Sequence, residues 1–104
     1  MSNANEMMRQ AQRMQRKLQQ INEQMKTREW TAKVADDKVS ATVTGERKVT
    51  SIVVDDAFWK GEEREIVLDS IAAAVNAAQE RADKDMETAM SAATNGLKIP
   101  GINM

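Results

Sequence analysis

The 104-residue sequence contains no cysteine and no histidine, and it has one proline and only three aromatic residues. These absences exclude a disulfide framework, the usual zinc finger, a thiol nucleophile and an imidazole base. Carboxylates, lysines and hydroxyls remain, but no catalytic spacing or glycine-rich phosphate loop is found among them. We therefore expect a protein that is not an enzyme, with no catalytic residue, no metal and no cofactor.

Long hydrophobic runs are also missing. No run approaches the ~18 apolar residues of a membrane span, and the opening MSNANEMMRQ has no hydrophobic signal core. Apolar residues nevertheless make up 41% of the chain, which is ordinary for a folded protein. We expect one domain over residues 1–104, acting in the cytoplasm without a membrane partner.

Charge is unevenly distributed, although the net charge is only −1. Residues 1–34 carry seven Lys/Arg against three Asp/Glu, whereas residues 62–104 carry four against eight. If the protein binds a polyanion, the first third must supply most of the contacts. Alternatively, the two oppositely charged ends pair with each other, within one chain or between two.

The first part of the chain has the apolar pattern of a helix. The spacing alternates between three and four residues, which is a heptad repeat and predicts a helix over about 4–27 with one narrow apolar stripe. A stripe this narrow favours packing against a single other helix. Its members are Ala4, Met7, Ala11, Met14, Leu18, Ile21 and Met25.

Between residues 29 and 54 the apolar period changes from helical to alternating. Two clear alternating runs begin at Trp30 and Val39, and a third, β-branched run covers residues 49–54. Asp36-Asp37 and Gly45-Glu46 fall between the runs, where tight turns are expected. The sequence therefore predicts an α+β protein with a three-stranded antiparallel meander.

A second long helix is predicted over about 62–94, after a connector at residues 55–61. Acidic residues crowd its start, and Asn95-Gly96 with Pro100 provides a stop. Such a helix measures ~50 Å, longer than a globule of this size, so its Ala/Met stripe should overhang and need a partner. A second copy of the chain is the most economical partner. The stripe consists of Leu68, Ile71, Val75, Ala78 and Ala82, then Met86, Ala89 and Ala93.

Several strings resemble the YbaB/EbfC family of bacterial nucleoid-associated proteins. MMRQAQRMQRKLQQINEQM resembles the family's first helix, and VSATVTGERKVTSIVVDDAF is similar to its second and third strands. DSIAAAVNAAQERADKDMETAM and NGLKIPGINM resemble its alanine-rich last helix and its tail. The resemblance implies an α-β-β-β-α fold, a tweezers-like homodimer, and binding of double-stranded DNA in the nucleoid with little or loose sequence preference.

Basic side chains of the first helix are the main candidates for DNA contact. Arg9, Arg13 and Arg16 share the side away from the apolar stripe, and Lys17 lies nearer to it. Their spacing of ~5 to 10 Å along the axis suits successive phosphates. The alternative is an ordinary solvated helix face.

Four further basic residues are secondary candidates: Arg47, Lys48, Arg81 and Lys84. The last two have acidic neighbours four residues away, so intrahelical pairs Glu80–Lys84 and Arg81–Asp85 are the competing interpretation. Lys26 and Arg28 are expected to complement the end of the first helix, and the aromatic residues to pack in the core or an interface.

The sequence thus predicts a dimeric, nucleoid-associated protein that binds duplex DNA through the first helix. The alternative is a dimeric adaptor module with weak or lost DNA binding and an unidentified protein partner. The near-neutral net charge favours the second reading, and the basic first helix favours the first.

Overall fold

The chain folds as α-β-β-β-α, an α+β arrangement, in a computed structural model that describes residues 3–94. The helix stop predicted at Asn95-Gly96 and Pro100 lies outside these residues. No helix within the described part is long and apolar enough to cross a membrane. The elements are α1 (Asn3–Lys26), β1 (Glu29–Val34), β2 (Val39–Thr44), β3 (Val49–Val54), α2 (Asp56–Gly61) and α3 (Arg64–Ala93).

The three strands form the predicted meander, in the order β1-β2-β3 with both pairs antiparallel. One face of β1 and β2 supplies the buried core, and α3 lies across these two strands. The covered face consists of Trp30, Ala32, Val39, Ala41 and Val43. The alternation read from the sequence therefore corresponds to one covered and one exposed side of the sheet.

The turn from β1 to β2 is left-handed. Ala35, Asp36 and Asp37 have φ values of 56°, 56° and 66°. The amide of Lys38 donates to the carbonyl of Ala35 at 3.0 Å, which closes the turn. The Asp36-Asp37 pair thus marks a turn, as predicted.

The predicted connector at residues 55–61 contains a short helix, α2, which the sequence pattern did not predict. Asp55 caps α2, because its carboxylate accepts a hydrogen bond from the Phe58 amide at 3.1 Å. Phe58 is half-buried against the Val39–Ala41–Ala74 cluster, which anchors this short helix to the core. Tertiary packing therefore stabilises a helix that is too short to show a periodic pattern.

The two long helices run side by side in opposite directions. Met25 shares a buried cluster with Ala82, and Ile21 packs on the same cluster with Met86 and Ala89. The apolar stripe of α1 therefore packs against one other helix, as its narrowness predicted. α1 of the same chain packs against the Ala82, Met86 and Ala89 part of the α3 stripe. Leu68, at the start of that stripe, is 55% exposed.

The molecule is elongated, with extents of 73 × 25 × 16 Å and a radius of gyration of 19.6 Å. A compact chain of this length has a radius of gyration of about 13 Å. The α1/α3 pair projects from the sheet and produces this length, as the predicted helix lengths required.

Candidate nucleic-acid interface

The position of α1 against α3 determines which of its side chains face solvent. On the packing side, Met25 is buried and Met14, Leu18 and Ile21 are half-buried. At about 100° per residue, Arg9, Arg13 and Arg16 lie within roughly 60° of one another on the opposite side. All three are exposed. They form an outward-facing row, which we call the arginine row.

The arginine row and Lys17 form no ion pair with any residue between 3 and 94. No carboxylate of the described residues therefore lies within ion-pair distance of these cationic groups. Arg13 and Lys17 also border an open groove between α1 and the end of α3, of about 660 Å³. Arg16 borders a shallower depression with Gln20 and Glu23, one turn closer to the sheet.

The secondary candidates lie elsewhere, and two of them are engaged within the chain. Arg47, at the β2–β3 turn with φ of 68°, pairs with Asp83 and donates to Gln79 at 3.1 Å. Arg81 donates to the backbone carbonyl of Thr31 at 2.8 Å. Both side chains therefore fasten the sheet to α3.

The two lysines among the secondary candidates, Lys48 and Lys84, are exposed and are not held against α3 or the sheet as the two arginines are. Lys48 is 3.9 Å from Glu46 across its own turn, an exposed pair of little energetic weight. Lys84 is exposed and forms no ion pair within the described residues. The structure does not bring either lysine onto the arginine row, which lies on α1.

The predicted intrahelical pairs are absent from residues 3–94. Arg81 turns to Thr31, as above, and Asp85 instead accepts a hydrogen bond from the Trp30 indole at 2.7 Å and lies 3.7 Å from Arg28. Contacts across the fold thus replace the Arg81–Asp85 pair that spacing suggested. Lys84 has no carboxylate within ion-pair distance in the described residues.

Lys26 and Arg28, at the end of α1, make contacts within the fold. Lys26 lies 3.7 Å from Glu23 and 3.9 Å from Glu46. Arg28 stacks on the Trp30 ring at 5.0 Å from its centroid. Trp30 is buried, as expected for core packing, whereas Trp59 is 59% exposed.

Two exposed acidic residues of α3 lie on a different side of the α1/α3 pair from the arginine row, whereas Glu23 of α1 borders the same depression as Arg16. The exposed acidic residues Glu80 and Glu87 lie on the side of α3 away from its buried alanines, Ala78 and Ala82. The arginine row faces away from α3 on α1. These two carboxylates therefore lie away from an anion that approaches the arginine row.

Sequence reasoning missed one group in this region, the Trp30–Asp85–Arg28 contact that fixes the base of α1. No local signal marks it, since its ends are 55 residues apart.

Comparison with known proteins places the chain in a family. A nucleoid-associated protein of Rickettsia rickettsii (strain Sheila Smith) is 38% identical over 100 residues, covering 96% of this chain and 94% of the relative. A nucleoid-associated protein of Rickettsia akari (strain Hartford) is 37% identical over the same shares of both chains.

A solved structure shares the fold. The crystal structure of an uncharacterized protein from Helicobacter pylori aligns with a TM-score of 0.64 at 20% identity, covering 84% of this chain and 98% of that one. Residues 1–97 match the YbaB/EbfC DNA-binding family. Membership of a DNA-binding family agrees with the expectation that the chain is not an enzyme. On this match and these relatives, the chain belongs to the YbaB/EbfC DNA-binding family.

Proposed function

We propose that this protein is a nucleoid-associated protein that binds double-stranded DNA by placing the arginine row against phosphates. The observation that carries the proposal is the row itself: three exposed arginines on one side of a projecting helix, without a carboxylate partner among residues 3–94. Family membership and the nucleoid-associated relatives support DNA as the ligand and the nucleoid as the location.

The chemistry favours contact with the DNA backbone rather than base recognition. Arginine and lysine side chains neutralise phosphates and release counterions, a contribution that does not depend on sequence. Lys17 lies at the edge of the row and can add a further contact. Binding with little or loose sequence preference follows, with groove shape as a secondary influence.

We further propose that the protein acts as a homodimer joined at β3. β3 is an edge strand, and α3 lies across the other two strands. Its side chains Val49, Ile52 and Val53 are 45%, 46% and 58% exposed. The unpaired backbone groups of an exposed apolar edge strand can pair with a strand of another chain. In a two-fold dimer the two β3 strands pair with each other, and the assembly is closed.

A second apolar group extends the proposed dimer surface. Trp59, Ile66 and Leu68, on α2 and at the start of α3, are 59%, 43% and 55% exposed. Two copies joined at this end would carry two projecting α1/α3 pairs. A duplex would then meet two arginine rows, which raises affinity through the linked second contact.

The experiment that tests DNA binding is fluorescence anisotropy of a labelled duplex of about 30 base pairs, titrated at two salt concentrations. With six to ten phosphate contacts in a dimer, affinity should fall by about 10³-fold or more between 50 and 200 mM salt. Micromolar or tighter binding at low salt with this steep loss supports the proposal. Absence of binding at 50 mM salt would contradict it and favour the adaptor reading.

A further inference from the structure

The apolar stripe of α1 continues beyond the end of its partner helix. Met14 and Ala93, the last residue of α3, line the same groove, so the two helices separate at this level. Residues 3–13 of α1 therefore extend past α3 by about 16 Å. Met7 and Ala11 continue the stripe into this region and line the groove.

The end of this stripe presents large apolar side chains to solvent. Met7 is 68% exposed, and Met8 on the adjacent side of the helix is 63% exposed. The other apolar stripe positions nearer the sheet are covered by Ala82, Met86 and Ala89 of α3. Among residues 3–94, nothing covers the first turns of α1 as α3 covers its later turns.

The chain itself supplies a segment of suitable chemistry in the right place. Ten residues, NGLKIPGINM, follow Thr94, which is the C-cap of α3 at the mouth of the groove. Four of them are large and apolar: Leu97, Ile99, Ile102 and Met104. None of the ten side chains is acidic, so no side-chain carboxylate of this segment would bring it to the arginine row instead.

Distance also permits the contact. At ~3.3 Å per extended residue, Leu97 can reach about 10 Å and Ile99 about 17 Å beyond Thr94. Met7 lies about 10 Å beyond the level of Met14 along α1. In an extended chain, alternate side chains point to opposite sides, so Leu97 and Ile99 would share the side opposite to Lys98.

We propose that residues 95–104 of the same chain dock in this groove, with Leu97 and Ile99 on Met7, Ala11 and Met14. The segment then covers the apolar stripe on the first turns of α1, as α3 covers it on the later turns. Because Arg9 and Arg13 lie on these turns, docking also holds part of the arginine row in place. The proposal concerns the chain alone and does not depend on DNA binding.

Disulfide trapping tests the contact, and the lack of cysteine in the chain makes the test clean. Leu97→Cys is combined either with Ala11→Cys in the groove or with Gln12→Cys, its neighbour on another side of the helix. Under mild oxidation, the Ala11 pair should form a disulfide within one chain at least about tenfold faster than the Gln12 pair. Equal rates, or a crosslink between chains, would overturn the proposal.

A second measurement uses single serine substitutions in the original sequence, without the introduced cysteines. Leu97→Ser and Ile99→Ser should each speed amide hydrogen exchange in residues 4–14 several-fold, whereas Lys98→Ser should not. If Lys98→Ser has the same effect as the other two, or if none of the three has any, the segment does not dock by these apolar side chains. The comparison is made without DNA, so its outcome is separate from that of the anisotropy titration.

Discussion

The indole N–H of Trp30 donates a hydrogen bond to the carboxylate of Asp85 at 2.7 Å, joining the first strand to the middle of α3. Arg28 completes the group by stacking on the Trp30 ring and lying 3.7 Å from the same carboxylate. Since Arg28 follows directly after α1, this contact fixes the base from which the arginine row projects. The contact therefore joins the sheet and α3 to the end of α1, the proposed DNA-binding helix.

Loss of this hydrogen bond should lower stability measurably. Trp30→Phe keeps an aromatic ring in the core but removes the donor, so we expect a loss of about 1–2 kcal/mol in the free energy of unfolding. Trp59→Phe is the matched control, because Trp59 is 59% exposed and should change stability by less than about 0.5 kcal/mol. Urea unfolding followed by circular dichroism measures both, and equal losses would contradict the role assigned to Asp85.

Gly45 should not tolerate a side chain. A Cβ added there would lie 1.9 Å from the carbonyl oxygen of Met25 and 2.7 Å from its carbon, both backbone atoms. Gly45→Ala must therefore move the β2–β3 turn away from the end of α1, and we expect a loss of at least about 2 kcal/mol.

Gly61 provides the control for this prediction. A Cβ at Gly61 meets nothing within 4 Å. Because Gly61 ends α2 and alanine has less conformational freedom to lose, Gly61→Ala should be neutral or stabilising by up to about 1 kcal/mol. Thermal unfolding of the two variants tests the pair, and similar melting temperatures would show that the close approach at Gly45 is absent.

Charge reversal of the arginine row should remove DNA binding without affecting the fold. We expect the combined substitution Arg9→Glu, Arg13→Glu and Arg16→Glu to weaken duplex binding by at least about 100-fold at low salt. The helix should remain, since these side chains are exposed and make no ion pair within the described residues. Anisotropy measures the affinity, and circular dichroism checks the helix content.

The control variant reverses the same amount of charge elsewhere. Lys33, Lys38 and Lys60 are exposed and lie at the sheet end of the molecule. Their combined replacement by Glu should weaken binding by less than about tenfold, because it changes the long-range field and breaks only two exposed ion pairs, Lys38–Asp55 and Lys60–Asp56. If both variants lose affinity equally, net charge rather than the arginine row governs binding.

A charge on β3 should separate the proposed dimer. Ile52 is 46% exposed on the edge strand, and Ile52→Glu would bury a carboxylate in the interface. We expect monomers at micromolar concentration by sedimentation velocity, while the unchanged protein sediments as a dimer. Lys33→Glu, on the opposite edge strand β1, should leave the dimer intact. A dimeric Ile52→Glu variant would place the interface elsewhere.

Much of the fold could be predicted because its elements have strong local patterns. The three-four spacing from Met7 to Met25 and the alternation from Trp30 to Val43 each follow the geometry of one element. The short helix α2 was missed, since six residues are too few for a helical period. Its stability comes from the Asp55 cap and from Phe58 on the core.

The candidate site, too, could be predicted from the sequence only in part. The arginine row could be found from sequence because Arg9, Arg13 and Arg16 share one helix face whatever the helix packs against. The partners of Arg47 and Arg81 could not be found, because both lie on α3 or the sheet at separations of 32 to 50 residues. Spacing along one helix suggested Arg81–Asp85, and tertiary contacts replaced it.

The sequence by itself determined the two long helices, the three strands, their order and the side of α1 that carries positive charge, since each depends on residues only a few positions apart. Only the tertiary structure decided what covers each face. The angle of α3 across β1 and β2 leaves β3 exposed, brings Asp85 to Trp30, and ends α3 before the first turns of α1. These relationships depend on how whole elements pack together. The packing involves residues that are far apart in the sequence, so a periodic pattern within one element does not reveal it.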